Sequence, residues 1–248
     1  MTELVLVTGG SRGIGAAICR ALAATGVDIG LNYLRNRDAA VAVQSDVEAQ
    51  GVRCELLQAD VADEQQVQSM FRQLDASLGT LTGLVNNAGI LETQGRLEDM
   101  DAARIDRVMR TNVTGSFLCA REAVRRMSVR HGGRGGAIVN VSSAASRLGS
   151  PGEYIDYAAS KGAIDSMTIG LSKEVGAEGI RVNAVRPGVI YTDIHASGGE
   201  PGRVDRVGPG APLARGGYPE EVAAAVVWLL SDAASYTTGS FIEVSGGR

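Results

Sequence analysis

Tyr157 and Lys161 stand four residues apart in Asp156-Tyr-Ala-Ala-Ser-Lys161. On a helix, positions i and i+4 share a face and lie about 6 Å apart along the axis, so an ammonium and a phenol at this spacing act on one ligand. A free tyrosine titrates near pH ~10; bringing it to about 7 takes roughly 4 kcal/mol of preferential phenolate stabilisation. The Lys161 ammonium, with a cationic nicotinamide beside it, is a source of that stabilisation. The chain also opens with Val7-Thr-Gly-Gly-Ser-Arg-Gly-Ile-Gly15, a glycine-rich turn placed directly after the apolar run Leu4 to Val7. Gly9, Gly13 and Gly15 let a backbone approach a pyrophosphate, and the helix that follows offers unpaired N–H groups and a favourable dipole. Together the two features predict nicotinamide-dependent hydride transfer.

Each feature has a plainer reading. A glycine cluster also serves as a structural strand-to-helix turn, and tyrosine and lysine meet at helical spacing by chance on exposed helices. Three further segments weigh against coincidence. Val139-Asn-Val-Ser-Ser143 ends an apolar strand, where a hydroxyl projects from the carboxyl edge of a sheet. Leu84-Val-Asn-Asn-Ala-Gly89 is a strand end turning into an Asn/Gly loop, and Asn112 lies inside a long helical stretch, where asparagine is mildly unfavourable and calls for a local reason.

These groups need a scaffold, and the chain alternates β-branched runs with amphipathic stretches: Leu4 to Val7, Gly15 to Thr25, Val27 to Asn32, Asp38 to Gln50, Arg53 to Gln58, Glu64 to Ser77, Leu81 to Val85. The cadence continues through a helix from Asp101 to Arg130, a strand from Ala137 to Val141, the Tyr157 helix to about Ala177, a strand from Arg181 to Val185, a helix from Pro219 to Ser231 and a last strand near Ser240 to Val244. Repeated β-α units imply parallel strands and right-handed crossovers. We expect an α/β fold, a doubly wound, Rossmann-type arrangement with a seven-stranded parallel sheet and helices on both faces, in a single catalytic domain spanning 1–248. The stretch from Gly188 to Gly217, rich in Gly, Pro and charge, follows a strand's carboxyl end and reads as a substrate lid, since loops this long are uncommon unless functional.

Composition narrows the function further. With 248 residues, 44% of them hydrophobic, the chain can bury a large core, and 33 glycines beside only 6 prolines signal tight turns rather than disorder. A net charge of −4 predicts no general affinity for nucleic acid or anionic membranes. Cys19, Cys54 and Cys119 are odd in number and far apart, reading as buried small hydrophobes rather than a disulfide or zinc framework. His131 and His195 lack the clustered carboxylates or cysteines of a metal site, so no metal is expected; His131 reads as exposed, while His195 reads equally as a substrate contact or as plain loop polarity. No leader pattern opens the chain and the longest apolar run, Val222 to Leu230, is far short of a span, so a cytoplasmic protein is expected. Arg121, Arg125, Arg126, Arg130 and Arg134 form a solvated basic face or a dock for an acidic partner.

Taken in order, TGGSRGIG at 8–15, NNAG at 86–89, Asn112, Ser143, YAASK at 157–161 and RPG at 186–188 resemble the motifs of the classical short-chain dehydrogenase/reductase family over essentially the whole chain. The resemblance implies that Tyr157 is the general acid/base, that Lys161 lowers its pKa and holds the nicotinamide ribose, that Ser143 orients the substrate carbonyl, and that Asn112 maintains a water-linked proton path. It implies cofactor contacts at Gly9, Ser11, Arg12, Gly13, Ile14, Gly15, Asn32, Tyr33, Asp60, Val61, Asn87, Ala88, Gly89, Tyr157, Lys161, Pro187, Gly188, Ile190 and Thr192. Ser142 competes with Ser143, but the family usually uses the second serine of such a pair. Ser143 precedes Tyr157 by fourteen residues where thirteen is more usual, which makes Tyr154 a decoy; Ala158 stands four positions after it, so Tyr157 is preferred.

The second strand ends in Asn32 and Tyr33, where a NAD-selective site normally places an acid, and Arg12, Arg35 and Arg37 are near. NADP(H) is therefore expected in preference to NAD(H), with NAD(H) use possible. The resemblance reaches sugar or polyol dehydrogenases such as glucose 1-dehydrogenase-like members, and 3-oxoacyl carrier-protein reductases. Glu178 stands where the latter tend to be basic, and the polar lid with Glu153 and Tyr154 favours a small hydroxylated carbonyl or alcohol. A non-catalytic dinucleotide sensor or scaffold is the rival of another class; loss of a tetrad residue would favour it, and none is lost. A homotetramer is implied by the resemblance, with the helices of 101–130 and 157–177 at one interface and the last strand at another.

Overall fold

Strand β1 shows how the sequence becomes layers: Val5 and Val7 face one apolar cluster, Leu4 and Leu6 the other, and all four are buried. A strand buried on both faces needs a helical layer on each side. The computed structural model describes residues 3–248, ordered as β1 (Leu4–Val7), α1 (Gly13–Ala23), β2 (Asp28–Tyr33), α2 (Arg37–Glu48), β3 (Cys54–Gln58), α3 (Glu64–Ser77), β4 (Gly83–Asn86), α4 (Ala102–Met109), α5 (Gly115–Met127), β5 (Gly136–Val141), α6 (Ala145–Leu148), α7 (Ile155–Val175), β6 (Ile180–Pro187), α8 (Ile194–Ser197), α9 (Arg203–Val207), α10 (Pro219–Leu230) and β7 (Phe241–Val244). The strands form one seven-stranded parallel sheet in the order β3-β2-β1-β4-β5-β6-β7. Ile18, Leu22, Val226 and Leu229 of α1 and α10 cover one face; Phe71, Leu74, Ala123 and Met127 of α3 and α5 cover the other. This is the α/β Rossmann-type arrangement that the β-α cadence predicts.

Two segments differ from the sequence reading. The helix expected from Asp101 to Arg130 is broken: α4 runs into a π turn at Arg110–Thr114 before α5, and a 3₁₀ turn at Val129–His131 follows. The physical reason lies in what surrounds the turn. Gly115 packs so closely on Val61 that an added Cβ would lie 2.8 Å from Val61 Cγ2, while Asn112 is fastened to Ile90 by two hydrogen bonds, accepting from Ile90 N at 2.8 Å and donating to Ile90 O at 3.1 Å. A π turn is how a helix absorbs such a displaced residue. The segment from Gly188 to Gly217 is not featureless either, since it contains α8, α9 and a 3₁₀ turn at Gly208–Gly210. Its base is pinched where Tyr191 N donates to Gly217 O and Gly217 N to Val189 O, both at 2.9 Å, and the Tyr191 and Tyr218 rings stack at 5.2 Å.

Cys19, Cys54 and Cys119 are buried, and burial pushes the Cys54 and Cys119 thiols up to about 12. Among the described residues no helix is long and apolar enough to cross a membrane.

Candidate active site

The strand order reverses between β1 and β4, so the loops leaving their carboxyl ends part and leave a crevice. Thr8 joins its two walls: its hydroxyl accepts from Asn87 N at 2.9 Å and Ala88 N at 3.0 Å. Asn87 Nδ2 returns two bonds, to Thr8 O at 2.8 Å and Gly9 O at 3.1 Å. Gly9 adopts φ +62, a left-handed conformation that suits glycine, and a Cβ on Gly15 would collide with Gly9 O. At the N-terminus of α1, Arg12 makes no side-chain capping bond, so the first-turn N–H groups are left for a ligand. A glycine cradle that a Cβ would fill, set against an uncapped helix N-terminus, fits the pyrophosphate of a dinucleotide.

A cavity of about 1920 Å³ opens over this crevice. Lining it are Gly9, Ser11, Arg12, Gly13, Ile14, Gly15, Asn32, Tyr33, Asp60, Val61, Asn87, Ala88, Gly89, Ser143, Tyr157, Lys161, Pro187, Gly188, Ile190 and Thr192, which gathers every expected cofactor contact into one space. Asn112 does not line it; it sits behind, its Nδ2 donating to Ser160 Oγ at 3.0 Å. Arg35 lines the cavity and Arg37 does not. Asn32 is spent on structure: its Oδ1 accepts from Gly9 N at 3.2 Å and its Nδ2 donates to Leu57 O and Ala59 O, both at 3.1 Å. Arg12 and Arg35 are exposed and have no carboxylate partner among the described residues.

Helix α7 delivers the acid–base pair. Asp156 Oδ1 accepts from Tyr157 N at 2.9 Å, and its Oδ2 accepts from Arg104 Nε of α4 at 2.8 Å, fixing the first turn. Burial raises the Tyr157 phenol above its ordinary value, and a hydrogen bond with the Ser143 side chain pulls it back. Lys161 Nζ donates to Val141 O at 2.7 Å and stands 5.6 Å from the Tyr157 ring centroid. Burial lowers Lys161 to about 8, against an upward pull from Asp165. The Ser142 hydroxyl is committed to Asp165 at 2.6 Å, whereas the Ser143 side chain is the one that draws the Tyr157 phenol down.

Several side chains behave in ways the sequence did not disclose. His195 is buried yet lines the cavity, and its Nε2 bonds Ile190 O at 2.9 Å, tying the start of the lid to itself. Tyr154 is buried, with its hydroxyl donating to Gly198 O at 3.2 Å, so it braces the lid from below. Arg203 lines the cavity, lies 5.1 Å over the Tyr154 ring, and grips Glu153 through two bonds at 2.9 and 2.5 Å. Glu200 and Arg203, three residues apart, pair at 3.2 Å, but nothing in the sequence joins either to Glu153. Among the described residues no group of His, Cys, Asp and Glu is arranged to hold a metal ion.

Residues 9–248 match the family model described as Enoyl-(Acyl carrier protein) reductase. The chain is 62% identical over 245 residues to the Uncharacterized oxidoreductase YgfF of Escherichia coli (strain K12), covering 99% of both chains. It is 38% identical over 247 residues to the 3-oxoacyl-[acyl-carrier-protein] reductase FabG of Staphylococcus aureus (strain Mu50), covering 100% of this chain and 98% of that one. Among solved structures, a blue fluorescent protein from a metagenomic library in complex with NADPH superimposes with TM-score 0.89 at 37% identity, covering 99% of this chain and 97% of that one. A short-chain dehydrogenase from Burkholderia cenocepacia J2315 in complex with NADP does so with TM-score 0.90 at 33% identity and the same coverage. The chain belongs to the classical short-chain dehydrogenase/reductase family. It is accordingly an NAD(P)-dependent oxidoreductase acting on CH–OH groups and the matching carbonyls.

Proposed function

We propose that this chain is an NADP(H)-preferring reductase of a small, hydroxylated carbonyl compound, working as one catalytic domain with residues 188–217 as its substrate lid. The observation that carries the reading is that Ser143, Tyr157 and Lys161 line the same cavity as the glycine cradle. A dinucleotide held by the glycine cradle would supply the hydride for the carbonyl carbon, or take one up from the alcohol. Tyr157, protonated because its site is buried, gives its phenolic proton to the carbonyl oxygen. Ser143 orients that oxygen and stabilises the charge that grows on it. Lys161 supplies a donor for the nicotinamide ribose, and Asn112 braces the π turn from which a water-linked proton path to Lys161 runs.

Arg12 and Arg35, unpaired at the cavity's lip, support NADP(H), because a 2′-phosphate gives both a partner and no acid stands at Asn32 or Tyr33 to repel it. Two similar structures hold NADPH and NADP. A second reading, reduction of a 3-oxoacyl group on a carrier protein, is favoured by the S. aureus relative. Against it stands the arginine face, which is already neutralised. Arg125 and Arg126 pair with Glu122, each at 2.9 Å, Arg121 pairs with Glu64 at 2.8 Å, and Arg130 lies 3.8 Å from Glu178. Ketones, aldoses and a 3-oxoacyl thioester, each assayed by cofactor absorbance with both dinucleotides, separate the two. Turnover confined to the thioester sinks the small-carbonyl reading.

We also infer a homotetramer, for which Phe117 on α5 and Ile169 on α7, 51% and 42% exposed, and Trp228 on α10, 41% exposed, provide apolar faces. A monomeric mass by light scattering at micromolar concentration would reject it.

A further inference from the structure

Behind the Tyr157–Lys161 pair lies a second layer of charge whose parts come from four elements. Asp165 sits on α7 one turn beyond Lys161, on the same face. Its Oδ1 accepts from Ser142 Oγ of the β5 end at 2.6 Å, and its Oδ2 is held by Arg186 of β6 through Nε at 3.1 Å and Nη2 at 2.9 Å. Arg186 Nη1 continues to Glu243 of β7 at 2.9 Å, and the guanidinium lies 4.0 Å over the Phe241 ring. The Asp165 and Arg186 side chains are 13% and 15% exposed. Each link adjoins a group of the cavity: Ser142 precedes Ser143, Arg186 precedes Pro187, and Asp165 follows Lys161 by four residues.

An ion pair that merely joined strands would need no such address. What singles this one out is the condition of Lys161, a buried ammonium whose hydrogen bond goes to a neutral carbonyl, Val141 O. Burial alone drives such a group toward its uncharged form. Tyr157, from its own helix, faces it as a neutral protonated phenol, and the neutral Asn112 amide of the π turn approaches the same glycine, Gly89, that Lys161 approaches. Arg186, from β6, is turned to Asp165 and Glu243. Asp165 supplies the negative charge that opposes the effect of burial.

We propose that Asp165 is a positioning residue for the reaction, held in place by Arg186 and Ser142 so that its charge keeps Lys161 an ammonium at the floor of the cavity. The proposal rests on the acid–base reading of Tyr157 and Lys161 given above. It assigns Arg186 the opposite influence, because its cation restrains Asp165 while offsetting part of its charge.

The test is the pH profile of kcat/KM for NADPH-dependent carbonyl reduction by the full-length protein, from about pH 6 to 10. In Asp165→Asn the alkaline fall is expected about one pH unit earlier, because losing an anion eases proton release from Lys161 and Tyr157 alike. Asp165→Glu keeps the charge and should return the fall to the wild-type pH even if its kcat is lower. Arg186→Gln leaves Asp165 less compensated, so its fall should come at higher pH. Folding is checked by circular dichroism and the cavity by NADPH fluorescence titration. An unshifted profile in folded Asp165→Asn overturns the proposal, and if that variant fails to fold, an Arg186→Gln profile shifted to lower pH does so. A Tyr157→Phe control keeps the questions apart: full turnover there defeats the acid–base reading itself, whereas an inactive control beside an unshifted Asp165→Asn defeats only the role of Asp165.

Discussion

Arg104 and Asp156 form an ion pair 13% and 3% exposed, one residue from the proposed acid. Arg104 holds Asp156 at 2.8 Å through Nε and 3.3 Å through Nη2, and reaches Thr93 O at 2.6 Å. Replacing Arg104 by Met strands the carboxylate with the Tyr157 N–H among its few remaining donors. Breaking a buried pair in this way costs about 3–5 kcal/mol, and the partial exposure of Arg104 lets water in and reduces this to about 2–3 kcal/mol. For a chain of this size that corresponds to a fall in melting temperature of about 5–10 °C. Asp156→Asn in the same background removes the stranded charge and should recover about half of the loss, giving a coupling of about 1–2 kcal/mol in the double-mutant cycle. Urea unfolding at fixed protein concentration reads the stability, and kcat reads the aim of Tyr157, which should fall more in the single variant than in the double. A coupling below about 0.5 kcal/mol, or a double variant no more stable than Arg104→Met, would refute the reasoning.

Tyr157→Phe should abolish turnover with dinucleotide affinity nearly unchanged, while Tyr154→Phe, which loses the bond to Gly198 O, should keep much of the rate and destabilise by about 1 kcal/mol; near-wild-type kcat in both defeats the assignment. Arg12→Ala should weaken NADP(H) far more than NAD(H), and a higher kcat/KM for NAD(H) in the wild-type protein would count against the cofactor preference. Hydrogen exchange in residues 194–207 should slow when cofactor and substrate bind, since this segment is held to the loop after β4 by the exposed bond of Glu200 with Gln94 at 2.5 Å; unchanged exchange in the saturated complex argues for a rigid loop.

What the sequence made legible was whatever is local or periodic. The strands could be read because alternate residues of β1 serve two apolar layers, and the cradle could be read because Gly9, Gly13 and Gly15 answer needs set within one turn. The π turn could not, since its causes, Val61 against Gly115 and Ile90 against Asn112, lie far off in the chain. Asn112 nonetheless carried a signal, being a poor helix residue that demanded an explanation. His195 had the same ambiguity as any loop histidine until Ile190 O was found beside it. At Asn32 the sequence shows only the absence of an acid; its bonds to Gly9, Leu57 and Ala59 depend on the approach of β3 and the glycine turn.

Burial acts on Tyr157 and Lys161 in opposite senses, and this sets a direction for the chemistry. It raises the phenol above its ordinary value and brings the ammonium down to about 8, so at neutral pH both groups carry their protons. A protonated phenol is already in the form that donates to a carbonyl oxygen, and reduction can run at neutral pH until the alkaline side, where Lys161 begins to lose its charge. Oxidation of an alcohol needs the same phenol deprotonated, which its buried setting opposes. Its kcat should therefore rise with pH from about 7 to 9 while that of reduction holds and then falls, the two profiles crossing with opposite slopes because the titrations of the pair are coupled. Initial rates in both directions, with one substrate pair and saturating cofactor, measure this. An oxidation rate flat over that interval would mean that the phenol has been drawn to neutrality after all, and that charge from outside this cluster of side chains governs it.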